Sequence, residues 1–216
     1  GVQHRFIQDI SPGWGFDGRI LKLVQPPLPW LSLAGMPDPV TFDDELLHFL
    51  NGEGRPRVRL VGWSMGAHLA LEFARHHPER VAELHLLAIR RERPPEEIET
   101  IRREFSRDPC GFLASFYRKC FLGDRRHYQR FRAELEEDYL RAPDLERLHR
   151  GLDFLARTET RPAPVKTHLV HGCRDIIVPL EERAVLPGAD SELLEHAGHL
   201  VFFSPDYSLV GRERKN

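Results

Sequence analysis

Cysteine is scarce in this chain, with only Cys110, Cys120 and Cys173 among 216 residues. An odd number without a CxxC pair argues against a disulfide framework or a zinc knuckle, and makes a reducing cytoplasm the expected setting. Long apolar runs are missing as well. None approaches the roughly 20 residues that span a bilayer, and no secretory pattern opens the sequence, so no membrane association is expected. Charge of one sign is also lacking: 31 Lys and Arg stand against 33 Asp and Glu, a formal net charge of -2. That balance argues against a dedicated nucleic-acid binder. There is no internal repeat, and the histidines scatter without metal-ligand spacing, so neither a metal nor a cofactor is expected.

What is present is an alternation of short apolar runs with segments of helical period, the pattern of an α/β protein with a mostly parallel sheet. The strand candidates are 4–10, 30–33, 58–61, 81–88, 165–170 and 191–195. Between them, FDDELLHFL places Phe42, Leu46, Phe49 and Leu50 on one side of a helix, with its acidic residues at the N-terminal end where the dipole favours them. Met65 to Arg75 likewise aligns Leu69, Ala70, Phe73 and Ala74. From about Pro94 to Arg161 strand signal fades and four charged helical stretches follow: EEIETIRREF, CGFLASFYRKCF, YQRFRAELEEDYL and LERLHRGLDFLA. The expected organisation is a sheet core of residues 1–93 and 162–216, interrupted by a helical cap insertion at 94–161.

Gly62-Trp63-Ser64-Met65-Gly66 matches G-x-S-x-G, directly after an apolar strand and directly before an amphipathic helix. A serine hydroxyl is a weak nucleophile and must be exposed where a base can reach it. A sharp strand-to-helix turn achieves this at the cost of backbone strain and crowding, which glycines two residues to either side relieve. The plainer alternative is a glycine-relieved turn with a solvated serine.

A base and an orienting acid should follow in the order Ser, Asp, His. THLVHGCRDIIVP sets Asp175 just beyond a strand, with Asp190 as a rival carboxylate. LLEHAGHLVFFSP sets His199 after a glycine that permits a tight loop, with His196 as its rival. Acyl transfer also needs an oxyanion hole. Its expected donors are the N–H of Met65 and the N–H of Trp14, in the loop Ser11-Pro12-Gly13-Trp14-Gly15. An ordinary glycine-rich turn with a buried tryptophan is the alternative for that loop.

Together GWSMG, the GWG loop, HHPERV (76–81), GCRDIIVP and AGH resemble the α/β-hydrolase superfamily. Within it, FYRKCFLGD (116–124) and GLDFLARTETR (151–161) resemble the pimeloyl-acyl-carrier-protein methyl ester esterases of biotin synthesis. The similarity runs from about Gly13 to Pro205. It implies an α/β-hydrolase fold and a serine carboxylesterase that removes a methyl group from an acyl chain held on its carrier protein. It also implies substrate contacts from Trp14, Ser64, Met65, His199 and the stretch 116–120, Cys120 included. Phe112, Phe116 and Phe121 would suit an apolar acyl channel, although aromatics at helical spacing also serve plain packing. The chain departs from the family in three places. Pro12 stands where a histidine commonly precedes the Gly-Trp pair, and the first edge strands of the sheet are lacking. After Ala88 the sequence reads IRRERPP rather than a small-residue loop, which would reshape the pocket rim.

Arg118, Lys119, Arg125, Arg126, Arg130 and Arg132 fall in one short region. Acyl-carrier proteins are acidic, so such a basic face would speed and orient docking. A solvated helix face paired with Glu134 and Glu136 explains the same residues. A generic carboxylesterase, a C–C bond hydrolase using the same three residues, and a non-catalytic acyl-binding protein remain alternative functions.

Overall fold

The computed structural model describes residues 8–24, 30–31 and 35–207. Six strands form one sheet: β1 (Gln8–Ser11), β2 (Trp30–Leu31), β3 (Val58–Trp63), β4 (Val81–Leu87), β5 (Thr167–Gly172) and β6 (Asp190–Leu194), in the order β2-β1-β3-β4-β5-β6. Every pairing among them is parallel. β3 and β5 are buried along their whole lengths, as central strands of a parallel sheet covered on both faces are. Of the expected first strand, residues 4–7 lie outside the described residues, as do 32–33 of the second.

The observed strands shift from the expected ones where pairing outweighs composition. β3 runs on through Gly62 and Trp63 because they pair with Leu86 and Leu87. β5 starts at Thr167, whose hydroxyl donates to the Val165 carbonyl, and reaches Gly172 through its pairing with Leu194.

Helix α1 (Phe42–Gly52) buries Phe42, Leu46 and Leu50 and carries Asp43, Asp44 and Glu45 in its first turn. It meets α2 (Met65–His76) where the rings of Phe42 and Phe73 cross edge-on at 6.5 Å. Between β4 and β5 the chain forms α3 (Pro95–Arg107), α4 (Pro109–Cys120), α5 (Arg125–Phe131), a π-helical turn at Arg132–Glu136, α6 (Glu137–Arg141) and α7 (Leu145–Arg157). These helices fasten onto the loop after β1. The Trp14 indole donates to the Leu148 carbonyl at 2.9 Å, and the Tyr117 hydroxyl donates to the Gly15 carbonyl at 2.6 Å. Phe16, Tyr117, Phe131 and Tyr139 form a buried aromatic cluster beneath them. Among the described residues no helix is long and apolar enough to cross a membrane.

Candidate active site

Ser64, Asp175 and His199 follow the C-terminal ends of β3, β5 and β6, and the 11–15 loop leaves the same end of β1. In a parallel sheet that edge is where loops converge and ligands bind. Ser64 holds φ 58° and ψ -122°, outside the comfortable range of a non-glycine residue. Both glycines of the motif are demanded by close backbone approach. A Cβ on Gly62 would lie 2.4 Å from the Gly66 carbonyl oxygen, and one on Gly66 would lie 2.0 Å from the Ser11 carbonyl oxygen. The second contact sets the start of α2 directly against the 11–15 loop.

The Ser64 hydroxyl lies 3.1 Å from His199 Nε2, and His199 Nδ1 lies 2.8 Å from Asp175 Oδ2. The second carboxylate oxygen of Asp175 accepts from the N–H groups of Ile177 and Val178 at 2.8 and 2.9 Å. Burial pushes the Asp175 carboxyl up, but the neighbouring His199 and these hydrogen bonds outweigh it and hold the group below the usual carboxylate range. Asp175 is therefore anionic at neutral pH, and His199 donates from Nδ1 and accepts from the serine at Nε2. The His199 backbone is tied down as well, because the indole N–H of Trp63 donates to its carbonyl at 2.8 Å. The rivals lie elsewhere. His196 is exposed beside Arg174, and Asp190 is exposed beside His168.

A cavity of about 390 Å³ opens beside Ser64, within the range of small-molecule sites. Trp14, Met65, Phe112 and Phe116 line it, as does Lys119. Cys120 and Phe121 are not among its lining residues. One turn beyond Phe116, Cys120 is buried, with its thiol pushed up by burial, and Phe121 stacks on Phe131 and Phe203. Sequence reasoning missed His68, the side chain one helical turn past Ser64, and the aliphatic walls from α3, α7 and Ile176 to Val178. The serine-plus-four spacing was a usable signal for His68; the walls depend on tertiary packing and left none.

The basic residues divide. Arg130 donates to the Leu23 carbonyl and pairs with Glu134, and Arg132 pairs with Glu136. Arg118, Lys119, Arg125 and Arg126 are exposed and have no ion-pair partner among the described residues.

Glu83, His85 and His168 bring their donor atoms within 4.8 Å of one another. Their geometry suits proton sharing rather than a cation. The two imidazoles stack at 4.7 Å with 15° between planes, and in-plane lone pairs of stacked rings cannot converge on one ion. The Glu83 oxygens are meanwhile engaged by His168 at 2.6 Å and Arg59 at 3.0 Å.

The sequence matches the model of the alpha/beta hydrolase family over residues 10–207. The chain belongs to that family, and its class is that of the hydrolases. It is 30% identical, over 67% of its length and 68% of the relative's, to a pimeloyl-[acyl-carrier protein] methyl ester esterase of Aromatoleum aromaticum. Among solved structures it is similar to a bromoperoxidase from Bacillus anthracis (TM-score 0.73, 18% identity, 90% of this chain and 85% of that one). It is also similar to a thermophilic esterase from Thermogutta terrifontis (TM-score 0.71, 23% identity, 90% and 82%). At these identities the structural likeness establishes the fold alone.

Proposed function

We propose that the protein is a serine carboxylesterase that cleaves the methyl ester of a pimeloyl-type chain carried on an acyl-carrier protein, as in biotin synthesis. The observation that carries the serine mechanism is the continuous line from Asp175 through His199 to the strained Ser64. The esterase of Aromatoleum aromaticum supports the choice of substrate, and four unpaired basic side chains on α4 and α5 suit an acidic carrier.

In this reading Ser64 Oγ attacks the ester carbonyl carbon while His199 Nε2 takes its proton, and Asp175 stabilises the resulting imidazolium. The N–H groups of Met65 and Trp14 receive the oxyanion. Collapse of the tetrahedral intermediate expels methanol, protonated by His199. Water, deprotonated by the same nitrogen, then cleaves the acyl-enzyme and returns the proton to Ser64. Residues 94–161 act as a cap over the core. The free thiols of Cys110, Cys120 and Cys173 suit a reducing cytoplasm.

Two measurements test this. Ser64→Ala should lose all covalent labelling by a fluorophosphonate probe; labelling that persists places the nucleophile elsewhere and ends the serine assignment. Hydrolysis followed by mass spectrometry of the products should favour the methyl ester of pimeloyl carrier protein over simple aryl esters and a vinylogous diketone. A reversed preference leaves a general esterase or a C–C hydrolase.

A further inference from the structure

The IRRERPP stretch after Ala88 enters the cavity wall, and its charged side chains are not equivalent. The loop is braced from both sides. Arg90 bridges antiparallel to Arg183, the Arg91 N–H donates to the Glu182 carbonyl at 3.0 Å, and the Ala184 N–H donates to the Ile89 carbonyl at 2.9 Å. Thr160 closes the other side, its hydroxyl donating to the Arg90 carbonyl and its N–H to Glu92 Oε1. Two consecutive prolines then launch α3, and Pro94 holds Arg93 out of the helical region.

Within this frame the charges of Arg90 and Glu92 are already used. Arg90 pairs with Glu182 and donates to the Ile177 carbonyl, and Glu92 receives the Thr160 N–H at 2.7 Å. Arg93 also lines the cavity, yet among the described residues no carboxylate comes within ion-pair distance of it. Burial draws its guanidinium down from its usual value, which leaves it charged at any physiological pH. A half-buried, unpaired cation on a rigid wall is costly unless a ligand anion completes it.

A second side chain points the same way. His68 lines the same cavity at 5% exposure, and its Nδ1 is fully buried without a hydrogen-bond partner. Burial takes its pKa down to about 4, against a pull upward from nearby Glu92, so the ring is neutral and can donate one hydrogen bond. Because Nδ1 is sealed away from the cavity, the proton that this neutral ring can offer a ligand is the one on Nε2.

We propose that this cavity also takes free monoesters of dicarboxylic acids, with Arg93 as the counter-ion for the free carboxylate and His68 as its neutral hydrogen-bond donor. Ser64 and Arg93 line one cavity of small-molecule size, so a short half-ester can reach both. The inference rests on the esterase reading and concerns a second substrate, because a carrier-bound methyl ester ends in a thioester and has no free carboxylate.

Binding separates the two. Calorimetry on Ser64→Ala, which removes turnover from the question, would compare monomethyl glutarate, adipate and pimelate with their dimethyl esters. At least one half-ester should bind about tenfold or more tightly than its diester, the size of a charge-assisted hydrogen bond. Adding Arg93→Gln should bring the pair to within about threefold, Arg93→Lys should keep part of the preference, and His68→Leu should weaken the half-ester more than the diester. Equal affinity for half-ester and diester, or a preference that survives Arg93→Gln, overturns the proposal. If Arg93→Gln does not fold, Ser64→Ala and Arg93→Lys still decide it: no half-ester preference in either overturns the proposal. Fluorophosphonate labelling of the unmodified protein judges the esterase reading separately.

Discussion

Gly66 carries more of the site than its missing side chain suggests. Because a Cβ there would meet the Ser11 carbonyl oxygen at 2.0 Å, Gly66→Ala must push α2 away from the 11–15 loop. The expected cost is about 3 kcal/mol, a drop of roughly 6–12 °C in Tm for a chain of this size. Because the proposed oxyanion donors Trp14 and Met65 sit on the two parts being separated, kcat should fall more steeply than folding does; an alanine variant with full kcat would detach this contact from catalysis. Asp175→Asn removes the acceptor that fixes the His199 ring, and should lower kcat roughly 10³–10⁴-fold with little change in KM. At this scale the sequence was readable where a side chain follows a strand end marked by glycine or proline, as Ser64, Asp175 and His199 do. Cys120 and Phe121 could not be placed this way, because which face of α4 meets the cavity is decided by Phe131, Phe203 and the neighbouring helices.

Among the elements, β3, β4, β5 and β6 share a polar seam near their N-terminal halves. Arg59, Glu83, His168 and Asp190 link in turn across it, at 3.0, 2.6 and 3.4 Å. His168 first, and then His85, hold the Glu83 carboxyl well below the usual carboxylate range. A depressed carboxyl stabilises the fold above its unfolded value, about 4.3, and that stabilisation fades as pH falls towards the lower folded value. Glu83→Gln should therefore cost about 2 kcal/mol at pH 7, and the gap to the unmodified protein should narrow in acid. Denaturant unfolding at pH 7 and pH 3 measures both; a gap that widens in acid contradicts the assignment. The strands themselves were legible from their apolar runs. The seam was not, since it depends on register: Arg59 opposite Glu83, and His85 opposite His168.

For the whole molecule, the question is how a carrier would meet the site. Arg130 and Arg132 are occupied by Leu23, Glu134 and Glu136, and Lys119 also lines the cavity, which leaves Arg118, Arg125 and Arg126 as the informative set. Replacing these three with glutamine should lower kcat/KM for the carrier-bound ester, relative to a small aryl ester, by about tenfold at low salt. The gap to the unmodified protein should close as ionic strength rises, because salt screens the attraction that only the unmodified protein retains. An unchanged ratio removes the docking role. Composition revealed the cluster of positive residues, but not which of them local partners neutralise.

The indole of Trp63 gives the protein an optical consequence. It is fully buried, donates to the His199 carbonyl at 2.8 Å, and its ring centre sits 5.4 Å from the imidazole. In a background of Trp14→Phe and Trp30→Phe, emission from this one fluorophore should change when a ligand or a substitution moves the His199 loop. The fold thus contains its own gauge of where that loop sits, readable without a label.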